Sequence, residues 1–193
     1  MGRSKLLLFP VLLLPLALVL WQGFQGRLPD PAKNLVDQTG LWAFRYLLLC
    51  LAMTPLRLLT GRSAWIRYRR ALGLFALFYA TVHVASYVFL LFGARWGDLA
   101  VELTKRPYVM VGAAAFLLML PLGVTSTRGW QRRLKRRWVQ LHRLVYGVAV
   151  LALVHLAWVK KLGFAAVVPY TTALALLLGI RLWRYFQQSR AQT

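Results

Sequence analysis

Three side chains in this 193-residue sequence offer coordination chemistry that no others do: His83, His142 and His155, its only histidines. His142 and His155 stand near opposite ends of WVQLHRLVYGVAVLALVHLAW, and His83 lies within LGLFALFYATVHVASYVFLLF. Both runs are long and apolar enough to cross a bilayer, where an ionisable side chain is costly and marks function. Three roles compete: hydrogen bonds that tie helices together, a proton relay, and ligation of a cofactor. A relay recruits carboxylates, yet Asp30, Asp37, Asp98 and Glu102, the only acids, all fall in the polar connections between apolar runs. Hard cations lack the oxygen ligands they need there. Zinc takes four close ligands, and His142 and His155, 13 residues apart, are separated by about 20 Å along a helix. Haem fits, because a flat porphyrin between helices takes one neutral imidazole from each side and buries its apolar rim in an apolar bundle.

The elements that must position these imidazoles follow from composition. With 60% hydrophobic residues and a mean hydropathy of +0.57, the chain has too little polar sequence to cover a soluble domain. The fold class is an all-α integral membrane bundle in a single domain, residues 1–193, with candidate spans near 6–21, 41–59, 71–92, 108–124, 139–159 and 164–183. The first, after Arg3 and Lys5, has no small-residue cleavage site after Leu20 and reads as a retained helix. Depth decides which histidines pair. Counted from the ends near residues 70 and 138, His83 lies about 20 Å, His155 about 25 Å and His142 about 6 Å along their helices. His83 therefore pairs with His155 between spans 3 and 5. His142 marks a second, incomplete site, since a partner about 14 residues before His83 falls at Arg69, no ordinary iron ligand. One haem or two stays open. On a straight helix His142 and His155 also point about 140° apart, so two sites cannot stack on one stripe.

The formal charge of +21 is distributed, not clustered. The N-terminal head, Arg57 to Arg70, Arg128 to Arg143 and the tail from Arg181 carry 17 of the 25 basic residues and no acid. Positive residues stay in the cytoplasm, so both termini are expected inside, with six crossings of the membrane. The charge is topological, its default partner the anionic lipid of the bilayer, and nucleic acid is not expected. A lone Cys50 excludes an intrachain disulfide, a CxxC redox pair and a thiolate-bound cluster. Basic residues near the histidines are candidates for cofactor contact: Arg45 for a haem propionate or for snorkelling, and Arg69, Arg70 and Arg143 for a propionate, a flavin phosphate or a quinone carbonyl near His142. Gly73 and Gly147 are candidate points of close porphyrin approach. The outer connections GARWGDLAVELTKRP and VKKLGF, with Asp98, Glu102, Lys105, Lys160 and Lys161, offer a mixed-charge docking face.

YATVHVASYVF in the third span and WVQLHRLVYGVAVLALVH in the fifth, with the openings GLWAFRYLLLCLAMTPLR and RRALGLFALFYATVHVASY, resemble the ferric-reductase-like transmembrane family. The closer likeness is to its small bacterial branch, the haem-binding membrane subunits of periplasmic methionine sulfoxide reductase systems. Larger members carry two histidines in each of the two helices, whereas Arg69 stands here in place of the fourth. The resemblance implies b-type haem on His83 and His155, FMN binding, and electrons drawn from quinol. The acceptor it implies is a periplasmic molybdopterin-containing subunit, MsrP, in a heterodimer that reduces methionine sulfoxide in proteins. The chain would then be an electron-transfer subunit, not the catalytic one. No GxGxxG, P-loop or soluble domain serves NADPH, so the donor must be separate. A haem b subunit that takes electrons from a periplasmic dehydrogenase, and a non-redox permease or scaffold, are the competing readings.

Overall fold

The computed structural model describes residues 3–159 and 164–190, and every regular element among them is helical. Helix α1 spans Arg3–Phe24, α2 Pro31–Thr60 and α3 Ala64–Ser86, the last continuing through a wider π-helical turn at Tyr87–Leu91. After a tight turn come α4 (Trp96–Lys105), α5 (Pro107–Val124), α6 (Arg128–Leu134), α7 (Arg136–His142), α8 (Leu144–Val159) and α9 (Phe164–Arg190). Five stretches are long and apolar enough to cross a membrane, Pro31–Thr60, Ala64–Leu91, Pro107–Val124, Arg136–Val159 and Ala165–Arg184, and Leu8–Phe24 is a shorter apolar helix.

The core is a four-helix bundle in which α2 packs along α3 and α5 along α8, with α9 against α2 and α8 and α1 against α2. Leu51, Ala76, Tyr79, Val148 and Ala149 are inaccessible at its centre. The outer face is as apolar as the core. Leu117 is 62% exposed, Leu176 62% and Trp183 60%, a surface that water would not tolerate and lipid does. The chain is a multi-pass membrane protein.

Local sequence explains the boundaries that differ from expectation. Helix α2 starts ten residues before the expected span because Asp30 caps it, accepting the Lys33 N–H at 2.9 Å, and Pro31 occupies the first helical position. The polar residues Lys33, Asn34 and Asp37, which read as loop, form its first turns, and Lys33 and Asp37 pair at 2.7 Å. Gly61, at φ 68°, ends α2 with its N–H on the Arg57 carbonyl, a left-handed cap that suits glycine. The connection GARWGDLAVELTKRP is mostly helix α4, held by ion pairs of Arg95 with Asp98 and of Arg106 with Glu102. The expected fifth span lies within Arg136–Val159, with a local step at Arg143, where two successive i→i−3 bonds, Arg143 N–H to Gln140 and Tyr146 N–H to Arg143, separate α7 from α8. Lys160 and Lys161 lie outside the described residues.

Helix α1 is fastened by hydrogen bonds. Its Pro10 and Pro15 interrupt the backbone ladder, and the buried Tyr79 hydroxyl enters the gap, accepting the Leu16 N–H at 3.1 Å and donating to the Leu12 carbonyl at 2.9 Å. Tyr46 donates to the same carbonyl at 2.8 Å. Tyr79→Phe strands the Leu16 N–H and is expected to destabilise the protein by about 1–2 kcal/mol in a detergent unfolding titration. Tyr46→Phe leaves Leu12 with a partner and should cost less than Tyr79→Phe in the same titration.

Candidate functional site

His83 is carried by the last turn of α3, and His155 by the last turns of α8. Their ring centres are 6.1 Å apart and the ring planes are 79° from one another. Each Nδ1 lies against a backbone carbonyl of a neighbouring helix, His83 on Val36 at 2.8 Å and His155 on Tyr108 at 2.7 Å. A carbonyl only accepts, so each Nδ1 carries the proton. The neutral ring then keeps its Nε2 lone pair, the tautomer that ligates a metal. Two imidazoles sharing one metal at about 2 Å from each nitrogen hold their ring centres about 6 Å apart. The pair fits axial ligation of a single haem iron in spacing and in tautomer.

A carbonyl already bonded within its helix has a second lone pair, but the side chain four residues later normally covers it. Here both of those residues are glycine. A Cβ on Gly40 would lie 2.8 Å from His83 Nδ1, and one on Gly112 would lie 2.7 Å from His155 Nδ1. Real Cβ atoms do not approach that closely. Val36, Gly40 and His83 recur 72 residues later as Tyr108, Gly112 and His155, within a repeated pattern: GLWAF and ATVH in the first half, GAAAF and ALVH in the second. The bundle is thus two helix pairs, α2–α3 and α5–α8, each contributing one carbonyl, one glycine and one histidine. Gly40 and Gly112 were not singled out from sequence, although the GxxAF and AxVH repeat would have found them. Gly73 instead packs on the Cys50 sulfur, and Gly147 faces open space.

The remaining candidates lie elsewhere. The half-buried His142 stacks on Trp138 with ring centres 3.9 Å apart, its Nδ1 donating to the Trp138 carbonyl at 3.1 Å. Half-buried Arg69 accepts the Cys50 thiol on its backbone carbonyl at 3.3 Å. Arg70 and Arg143 are exposed. At the repeat offset His142 corresponds to Arg70, so the repeat is broken at the α6 end of the bundle. Arg181, counted from sequence with a charged tail, folds back over the Tyr146 ring and donates to the Leu51 and Leu177 carbonyls. Arg45 lies 4.6 Å over the Trp42 ring and donates to the Tyr170 hydroxyl at 3.0 Å. Among the described residues no group of three or more His, Cys, Asp or Glu side chains could hold a bare metal ion.

A lipid-exposed helical bundle that holds two imidazoles 6.1 Å apart, each fixed at Nδ1 by a carbonyl of a neighbouring helix, defines a membrane protein with a paired-histidine site. Residues 39–153 match the ferric reductase like transmembrane component, and the chain belongs to that family. It is 44% identical, over 98% of its length and 90% of the relative's, to the protein-methionine-sulfoxide reductase heme-binding subunit MsrQ of Xanthomonas oryzae pv. oryzae. The subunit of the same name from Xanthomonas axonopodis pv. citri is 46% identical over 94% of this chain and 86% of its own. That of Polaromonas naphthalenivorans is 40% identical over 97% and 87%. No solved structure matches the chain.

Nitrogen NMR of histidine-labelled protein lacking haem should show His83 and His155 as neutral rings protonated at Nδ1. A protonated Nε2 on either would contradict the site geometry.

Proposed function

We propose that this protein is the haem-binding electron-transfer subunit of a methionine sulfoxide reductase system, with one b-type haem held between His83 and His155. The observation that carries this reading is the opposed pair of imidazoles, 6.1 Å apart, each fixed at Nδ1 by a carbonyl. Bound there, haem supplies a one-electron carrier within the bilayer. The protein's part is to orient both rings, keep their Nε2 atoms free of other partners and exclude water with the apolar walls of α2, α3, α5 and α8. The printed name of the relatives, a heme-binding subunit of a protein-methionine-sulfoxide reductase, supports both the cofactor and the system.

The finer assignments belong to the same proposal. The chain forms a single domain of six spans in a bacterial inner membrane, with both termini in the cytoplasm, in keeping with its asymmetric charge. Electrons enter from quinol at the cytoplasmic side, near His142, Arg69, Arg70 and Arg143, where a second haem or FMN would also find basic contacts. They leave at the His83–His155 end for a periplasmic molybdopterin subunit, MsrP, which docks near α4. Arg45 holds a haem propionate by a charge-assisted hydrogen bond.

Two measurements test this. The dithionite-reduced spectrum of the purified protein should show low-spin haem bands that disappear in His83→Ala and in His155→Ala; their retention in both variants ends the assignment. His142→Ala should keep those bands and lower electron transfer from a quinol analogue by at least about tenfold, as expected when a cofactor contact is lost. Haem reduced by quinol should then be reoxidised by MsrP plus methionine sulfoxide. Reduction without reoxidation would favour the dehydrogenase-linked subunit instead.

A further inference from the structure

We propose that Gly40 and Gly112 are paired positioning residues, which set the two imidazoles by uncovering the carbonyls of Val36 and Tyr108. This rests on the haem reading above for its consequence, but its geometry stands independently. The side chain at the fourth position after a helical carbonyl shields the second lone pair of that carbonyl. At Gly40 and Gly112 nothing does, and the histidine ring occupies the space, its Cε1 2.9 Å from the Cβ position of Gly40 and 2.8 Å from that of Gly112. The two rings make the same bond, 2.8 Å and 2.7 Å long, across the same separation of 47 residues. Each repeat therefore supplies an equivalent half of the clamp. Adding one methyl group in either half must push a ring off its carbonyl, free the Nδ1 proton from its acceptor and turn the Nε2 lone pair away from the shared axis.

Since the partner that orients a metal-ligating histidine governs both affinity and electronic tuning, Gly40→Ala and Gly112→Ala should each weaken haem binding by about 10- to 100-fold and shift its midpoint potential. The two effects should agree within a factor of about three, because the halves are equivalent at all three positions. Gly179→Ala, exposed on α9 with nothing within 4 Å of the added methyl group, is the control and should leave affinity and potential unchanged.

A second measurement needs no haem. In a His83→Ala background the obstructing ring is gone, so Gly40→Ala should reverse sign, from destabilising to neutral or stabilising, in a detergent unfolding titration; an alanine suits a helix better than a glycine. The same reversal is expected for Gly112→Ala with His155→Ala. If Gly40→Ala alone fails to fold, recovery of a folded protein in the double variant establishes the same coupling. Wild-type protein without low-spin haem would overturn the functional reading and leave the sign reversal to be scored. Unchanged affinity and potential in both glycine variants, or alanine effects independent of the histidines, would overturn the positioning role.

Discussion

A polar group inside a bilayer has no water to bond, so each one must find its partner in the protein, and the site follows from how the two imidazoles meet that demand. An imidazole has two nitrogens. If both were spent on internal hydrogen bonds the ring would only tie helices together. Here each ring spends Nδ1 on a carbonyl of the adjacent helix and leaves Nε2 over. The acceptor is backbone, which cannot change rotamer or ionise, so the ring is referred to the axis of a helix and not to another mobile side chain. Glycine at the fourth position after the carbonyl makes this contact possible, and because α2 begins at Pro31, ahead of the expected span, the Val36 carbonyl belongs to a helix.

The repeated helix pair gives the same solution twice, with both copies running in the same direction through the bundle. An even number of helices per copy brings the chain back to its starting side, so His83 and His155 arrive at one level without any adjustment of length. The relation is lost towards α6, where Arg70 stands opposite in sequence to His142. One end of the bundle is symmetric and suited to a symmetric ligand. The other is asymmetric and cationic.

Much of this was legible in the sequence. Histidines stand out against apolar runs, and a rise of 1.5 Å per residue is enough to match His83 with His155 in depth. What escaped was local. Hydropathy marks where lipid begins, not where a helix begins, and the polar residues Lys33, Asn34 and Asp37 hid the start of α2 although Asp30–Pro31 announces it. The same polarity hid α4, whose charges pair along one helix. Gly40 and Gly112 were passed over because a glycine in a membrane helix is common; their meaning lies in a relation to a carbonyl one turn before and a ring 43 residues later. Arg181 was assigned to the tail by charge alone, whereas its guanidinium reaches two carbonyls and an aromatic ring within the bundle.

The opening in the ladder of α1 bears on how the chain assembles. This helix emerges before α2 and α3 during synthesis, yet its Leu12 carbonyl and Leu16 amide are completed by hydroxyls on Tyr46 and Tyr79, which belong to those two helices. Until those helices have entered the bilayer, α1 carries a defect that it can relieve only by re-forming its own Leu16–Leu12 bond. The opened ladder is therefore a late acquisition, taken up when the α2–α3 hairpin arrives. A segment made before the hairpin is completed only after it, and the two tyrosines act as the latch that records the hairpin's insertion.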